Sequence, residues 1–496
     1  MNTRQTLLRR GLTLLTLTLS LGLFPGCQDS LQEEVYSFVS ADNFYKTAAD
    51  AEAAVIAAYQ PFTSDDYFRR NFYNIGLLAD DQVMIGRNAT FQAVDNFNVT
   101  PDHPFHTALW QQMYLCINRS NTGIQRIPAI SMDETRRTTL VGECRYVRAY
   151  NYFNLVRLFG GVPMPTTEIQ SPGQTNNPKV PKEKVYEQIV ADLLEAEKVL
   201  PLTRPAAEWG RATRGAAQTL LAEVYLTMER WQQAADKAKE VIDSKQYQLL
   251  PDFKAVFSVS NEANAEIIQS IQFDGPTIGT WFASFNHAGG SDNPNCFLGS
   301  ANWSVEQKSD IWLNWDSKDG RKAASTYDKF INKAGKLVSV FDYPQPFPGF
   351  GKYNAPNEVS NGNSPCNPII HRYADVLLIY AEAASQAGDG PTPAAYDAVN
   401  QVRRRGYKVP LTAPSEFDVP AGLSKAAFRQ AVIRERSLEF VIENKRLFDL
   451  MRTGQFPAIL KTQGKNVRDG ATLFPIPLSE LNSNLALTQA DQNPGY

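Results

Sequence analysis

The chain has 496 residues, with 49 basic and 52 acidic side chains and a formal net charge of −3. At 43% hydrophobic and 20% charged it can bury a large core, and its length suits roughly three domains or one large one. The near-neutral balance excludes nucleic acid as the main partner, and five cysteines without a CxxC pair exclude a zinc ribbon or a disulfide scaffold.

Arg4, Arg9 and Arg10 precede an apolar run, Gly11–Phe24, shorter than the ~20 residues that cross a bilayer as a helix. Residues 1–26 therefore read as a secretory signal peptide. Phe24-Pro25-Gly26-Cys27 resembles a bacterial lipobox, with Phe24 in place of the usual leucine and Pro25 in place of a small residue. That resemblance implies lipidation of Cys27. Removing residues 1–26 takes away three arginines and no acids, which moves the net charge from −3 to −6. Asp29, Glu33 and Glu34 lie in residues 27–40, expected to form a flexible, lipidated tether. Their acidity resembles the surface-export signal of Bacteroidetes lipoproteins. No later segment has the length and apolarity of a membrane-spanning helix, so the expected state is anchored to the membrane rather than crossing it.

Helix pairs follow from the periodicity, about four in all. The first joins the alanine-rich Ala48–Tyr59 to Leu109–Ile127, and the second joins Asp133–Phe159 to Lys182–Leu200. The clearest runs from Ala212 to Ser244. There Leu221, Ala222 and Tyr225 share a face, and Ala234, Ala238 and Val241 repeat at i, i+4, i+7. Small residues at Ala222 and Ala234 let two helices approach closely, in the spacing of a tetratricopeptide repeat. Tyr373–Arg405 repeats the pattern with Ala381, Ala395, Val399 and Val402, around the breaker Gly388-Asp389-Gly390-Pro391. A long amphipathic helix is expected from Ser424, its N-cap, to Thr453, with Gly454 as the stop. The fold class is thus mainly α, a superhelical scaffold of tetratricopeptide-like pairs over about 44–250 and 371–453. Residues 61–105 and 251–368 carry little helical period. Long irregular segments rich in aromatics point to function rather than disorder.

Glu143-Cys144-Arg145-Tyr146-Val147-Arg148-Ala149-Tyr150-Asn151-Tyr152-Phe153, continuing through Leu158-Phe159-Gly160-Gly161-Val162-Pro163, closely resembles a signature of the SusD/RagB family of outer-membrane nutrient-binding lipoproteins. Further matches come in order: Ala212-Thr213-Arg214-Gly215, Arg372-Tyr373-Ala374-Asp375, Asn400-Gln401-Val402-Arg403, Glu435-Arg436, Glu439, Glu443, Arg446, Asp449, and the closing Asn493-Pro494-Gly495-Tyr496. Asn444 stands where the family usually has glycine, and Thr453 where it often has tryptophan. The resemblance implies one SusD-like domain over 41–496 with a loop-rich ligand-binding region over about 251–368. It also implies a cell-surface role at the outer membrane, capturing oligosaccharide, or peptide as in the RagB branch. The implied partner is a SusC-like TonB-dependent transporter on which the protein sits as a lid.

No nucleotide loop, GxSxG elbow or HExxH helix is present, so neither an enzyme nor a cofactor is indicated. His103-Pro104-Phe105-His106 has a metal-ligand spacing without a supporting Cys/His cluster, so no metal is expected. Arg434, Glu435, Arg436, Glu439, Glu443, Arg446 and Asp449 are expected to form ion pairs along their own helix. Of Cys116, Cys144, Cys296 and Cys366, the expectation is buried free thiols. Four of seven tryptophans, Trp281, Trp303, Trp312 and Trp315, fall between positions 281 and 315. Sugar rings pack apolar C–H faces on aromatic planes while amides and carboxylates bind their hydroxyls. Trp281, Asn286, His287, Asp292, Asn293, Asn295 and Trp303 supply that mixture, and Tyr73, Asp81, Arg87, Phe91 and Asn96 of the earlier loop complete the expected arc. Trp312 and Trp315 are assigned to packing, since Ser304–Trp315 reads as a short helix leading to Asp319-Gly320-Arg321.

Overall fold

Thr47 opens the first helix, α1 (Ala48–Tyr59): its hydroxyl accepts from the Asp50 amide while the Asp50 carboxylate accepts from Thr47. The computed structural model describes residues 44–496 apart from 276, 287–291, 294–302 and 354–361. The chain divides into Met1–Tyr45 and a unit Lys46–Tyr496. The expected signal peptide, the tether and Cys27 lie outside the described residues, as do His287, Asn295 and Cys296.

After α1 come two short helices, α2 (Asn71–Leu78) and α3 (Ala89–Asp95), and then the long α4 (Pro104–Arg126) and α5 (Glu134–Phe159). α6 (Lys182–Val199), α7 (Arg214–Thr227) and α8 (Trp231–Asp243) complete the first helical block. α9 (Tyr373–Ala387), α10 (Pro393–Gly406), α11 (Lys425–Glu439) and α12 (Arg446–Arg452) form the second. α1 packs on α4, α5 on α6, α7 on α8 and α9 on α10, and each pair lies against the next. These are the expected tetratricopeptide-like pairs. Their small residues are where the backbones meet: Ala222, Ala234, Ala238, Ala381 and Ala395 are all buried. Among the described residues no helix is long and apolar enough to cross a membrane.

α4 starts at Pro104 because His103 caps it, its ring Nδ1 accepting from the Phe105 amide at 3.3 Å. His103 Nε2 lies 2.9 Å from the Thr90 carbonyl, so the ring ties α3 to α4. His106 is buried, and burial pushes its pKa down to about 3. Cys116 and Cys144 are buried free thiols, and Cys366 is buried.

Three local expectations need correction. Ser304–Trp315 is not a helix but a two-residue strand, Ser304–Val305, followed by one helical turn, Asp310–Leu313. The long helix over 424–453 begins as expected at the Ser424 cap but breaks between α11 and α12. Ile442 and Asn444 there have φ of 54° and 58°, the left-handed region that a β-branched side chain strongly resists. Glycine or asparagine is the natural occupant of position 444 for that reason. Asn444 packs so closely on α2 that a Cβ on Gly76 would lie 1.5 Å from its Oδ1, and its amide donates to the Phe72 carbonyl at 3.3 Å.

The third correction concerns the charged cluster, whose carboxylates reach outside their own helix. Glu439 accepts from Arg321, Arg372 and Arg405, and Glu443 accepts from Arg372 at 2.7 Å and Lys352 at 2.8 Å. Glu266 accepts from Arg372 at 2.8 Å and Arg405 at 3.0 Å. Glu435 pairs with Arg321 at 2.7 Å and Arg403 at 2.9 Å. Arg436 reaches Asp449 across the break at 2.8 Å. Burial by itself would raise the Glu439 carboxyl, but Arg405, Arg372 and Arg321 together hold it well below the ordinary range. Glu443 is lowered in the same way, against burial, by Arg372 and Lys352.

Removing one partner from such a network leaves buried charge uncompensated, so Arg372→Met is expected to lose about 3–5 kcal/mol in urea denaturation. Unchanged stability would contradict the role given to Arg372. Because the folded pKa values of Glu439 and Glu443 lie below the unfolded value of about 4.3, their contribution is full above about pH 5. It is lost as pH falls through and below that unfolded value. Denaturation midpoints measured across the acid range should therefore drop steeply in the native chain and less steeply in Glu439→Gln.

Candidate ligand-binding site

The irregular region is built on the helical stack by pairings between segments far apart in sequence. Ile267–Ser270 runs antiparallel to Ile369–Arg372, which leads directly into α9. Val83–Met84, within the first loop, pairs antiparallel with Ser304–Val305, joining Val83 to Val305 and Met84 to Ser304. The two loops expected to share a binding arc are thus stitched together.

An aromatic cluster fills the joint. Phe285 stacks on Trp303 with centroids 4.9 Å apart, Phe282 stacks on Tyr353 at 4.5 Å, and Tyr73 meets Phe282 edge-on at 4.3 Å. The Trp303 indole donates to Asn74 Oδ1 at 3.1 Å, so its one polar atom is satisfied inside. Trp303 is 1% exposed and Tyr73 1%. Burial pushes the Tyr73 phenol well above its usual range, with Tyr150 and Glu443 adding to the effect.

Several expected ligand contacts are therefore structural, and this corrects the arc read from sequence. Trp303, Tyr73 and Asn286 are interior, and the Asn286 carbonyl accepts from Phe350 at 3.0 Å. Asp81 is buried and held by Arg446 through two bonds of 2.7 Å. Next to it, burial and the Asp81 charge push Asp80 up to about 8. Asn96 uses both ends of its amide, donating to Gln92 and accepting from the Asn466 amide at 2.9 Å each. Asn293 is buried. Asp292, half-buried, accepts from Asn332 at 2.8 Å and from the Tyr343 hydroxyl, which fastens the hairpin of Lys329–Ile331 and Leu337–Ser339. Phe91 lies half-buried between Phe105 and Phe285, and Arg87 is exposed.

Trp281 is placed differently. It is half-buried, its indole donates to Asp65 Oδ1 at 2.9 Å, and the Arg70 guanidinium lies 5.7 Å from its ring centroid. Arg69 pairs with Asp65 at 3.2 Å and donates to the carbonyls of Gly279 and Gly362 at 2.5 and 3.0 Å. Gly362, at φ +76°, lies under the ring, where a Cβ would come within 2.7 Å of the indole. Arg70 Nε is buried with no hydrogen-bond partner among the described residues. A flat ring, an acid and two arginines thus meet at a surface that solvent reaches. Asp65, Arg69 and Arg70 were not singled out from sequence. Their signal was the Asp65-Asp66…Arg69-Arg70 charge pairing inside an aromatic loop, where the spacing sets acid against base.

Residues 34–226 match a family model described as starch-binding, associating with outer membrane, and residues 280–496 match the SusD family model. The chain belongs to the SusD/RagB family. A SusD-like protein of Formosa agariphila is 29% identical over 503 residues, covering 95% of this chain and 97% of that protein. A SusD homologue from Bacteroides thetaiotaomicron superposes with a TM-score of 0.82 at 26% identity, covering 94% of this chain and 100% of the other. A laminarin-binding SusD-like protein superposes with a TM-score of 0.76, also at 26% identity, covering 91% of this chain and 100% of the other. SusD family binding proteins are non-catalytic. The residues that carry the family likeness do scaffold work here: Arg148 pairs with Asp192 at 2.6 Å, Arg157 with Glu223 at 2.8 Å, and Glu143 with Arg204 at 2.9 Å.

Truncating the two tryptophans separates packing from surface. Trp303→Ala is expected to cost about 3–5 kcal/mol in chemical denaturation, as large core aromatics do. Trp281→Ala should cost no more than about 2 kcal/mol, from partial burial and one hydrogen bond. Equal losses would contradict the division.

Proposed function

We infer that this SusD family member is a cell-surface lipoprotein, anchored through Cys27 in the outer membrane, which captures an oligosaccharide and passes it to a SusC-like TonB-dependent transporter. The observation that carries the reading is the Trp281 face. Its half-exposed indole offers an apolar plane to a sugar ring, and Asp65, Arg69 and Arg70 offer charged hydrogen-bond groups to the hydroxyls around it. Relatives named for starch and laminarin binding support a glycan as the ligand class. Capture is reversible and involves no covalent step, so the ligand is released unchanged. His287, Asn295, Phe91 and Arg87 remain part of the proposed ligand arc.

Isothermal titration of the full-length chain in a sugar-free detergent tests this, with laminarin and starch oligosaccharides beside a peptide digest. The expected result is saturable binding of one glycan, weakened roughly ten-fold or more by Trp281→Ala and by Arg70→Ala, about 1.4 kcal/mol each. Binding of peptides alone, or glycan binding indifferent to both substitutions, would contradict the reading.

A further inference from the structure

A cavity of about 270 Å³ opens where the α6–α7 connection crosses the segment 263–270. It shares no lining residue with the Trp281 face. Trp209 and Tyr247 supply two aromatic walls, with Gln269 and Asn264 beside them and Thr203 at the mouth. Both rings are partly buried against the core, and Tyr247 can press on α7 only because Gly215 has no side chain: a Cβ there would sit 2.5 Å from the phenol oxygen.

The walls are fixed before any ligand arrives. Arg204 donates to the Ala212 carbonyl at 2.8 Å and to Glu208 at 2.8 Å, closing residues 204–212 into a rigid loop. Gln269 Nε2 donates to the Gly210 carbonyl at 2.6 Å, and the Gln248 amide to the Ala265 carbonyl at 3.0 Å. Rigid walls reduce the ordering cost of binding.

The chemistry of the lining narrows the occupant. Two arginines line the cavity, but Arg204 is committed to Glu143 and Glu208, and Arg211 to Glu143 and Glu52. No uncompensated charge therefore selects for an ion. The rest of the lining, two aromatic rings beside Asn264, Gln269 and Thr203, suits an uncharged polar ring. The volume lies just under the ~300–1,000 Å³ of pockets for drug-sized molecules, which limits the guest to about one ring. We propose that this cavity is a second binding site, for a single uncharged sugar ring stacked between Trp209 and Tyr247. The inference goes beyond the Trp281 reading and stands independently of it.

Fluorine NMR of the full-length chain carrying 5-fluorotryptophan, in sugar-free detergent, distinguishes the two sites. Trp209→Phe and Trp281→Phe assign their resonances. Glucose, galactose, mannose, xylose and fucose are the probes, with glucuronate as the charged comparison. The expected result is a saturable shift of the Trp209 resonance with at least one neutral sugar, weakened ten-fold or more by Tyr247→Ala. Thr203→Arg, a surface change that fills the mouth, should abolish it and guards against a folding defect in the tyrosine variant. A Trp209 resonance unmoved by every neutral sugar, or moved only by glucuronate, overturns the proposal. So does a shift that survives Thr203→Arg. Movement at Trp281 alone overturns this proposal and leaves the Trp281 reading standing, and movement at Trp209 alone upholds this proposal and leaves the Trp281 reading to its own oligosaccharide titration.

Discussion

Arg372 is the point at which the irregular half of the molecule is fastened to the helical half. Its guanidinium joins Glu439 on α11, Glu443 in the turn after it, and Glu266 ahead of the strand Ile267–Ser270, all fully or nearly fully buried. Glu439 in turn takes Arg405 from α10 and Arg321 from the loop region, and Glu443 takes Lys352. Desolvating so many charges is expensive, and the alternation of acid and base around shared atoms is what offsets it. Such a network tolerates only one arrangement of the six segments that feed it. That is its use: irregular loops have no helical period to fix their register, and the ion pairs supply one.

The consequence for the binding face runs through a short physical chain. Glu443 holds the break between α11 and α12 in its left-handed turn, and Asn444 in that turn presses on Gly76 of α2. α2 carries Asn74, which takes the indole proton of Trp303, and Trp303 stacks on Phe285. Phe285 closes the helical turn Phe282–Phe285 whose N-cap is Trp281. A buried salt network, a strained turn and an aromatic core therefore end in one flat ring held at the surface. Rigid support under an adaptable rim is a common way to place recognition groups on loops.

Much of the scaffold was legible because helix pairing leaves a repeating trace. Ala222 with Ala234, and Ala381 with Ala395, announced close-packed helices before any partner was known. The break after Glu439 left no such trace, since the amphipathic pattern continues through it and only long-range pairing forces the chain to turn. Nor does composition tell Trp281 from Trp303. Both sit among the same aromatics and amides, yet one bonds to a half-exposed Asp65 and the other to a buried Asn74, each more than two hundred positions away. The two-residue strands that stitch the loops are too short to show alternation. Family likeness carried the fold to the last residue and was silent on the site, because the shared residues are those that hold the scaffold.

The central claim is that the face around Trp281, and not the aromatic core beneath it, meets the ligand. A crystal structure of the chain with a bound oligosaccharide tests it most directly. The account predicts a sugar ring lying against the Trp281 indole with its hydroxyls on Asp65, Arg69 or Arg70, while Trp303 keeps its bond to Asn74. An oligosaccharide seated away from Trp281, or one that draws Trp303 out to meet it, would contradict the account.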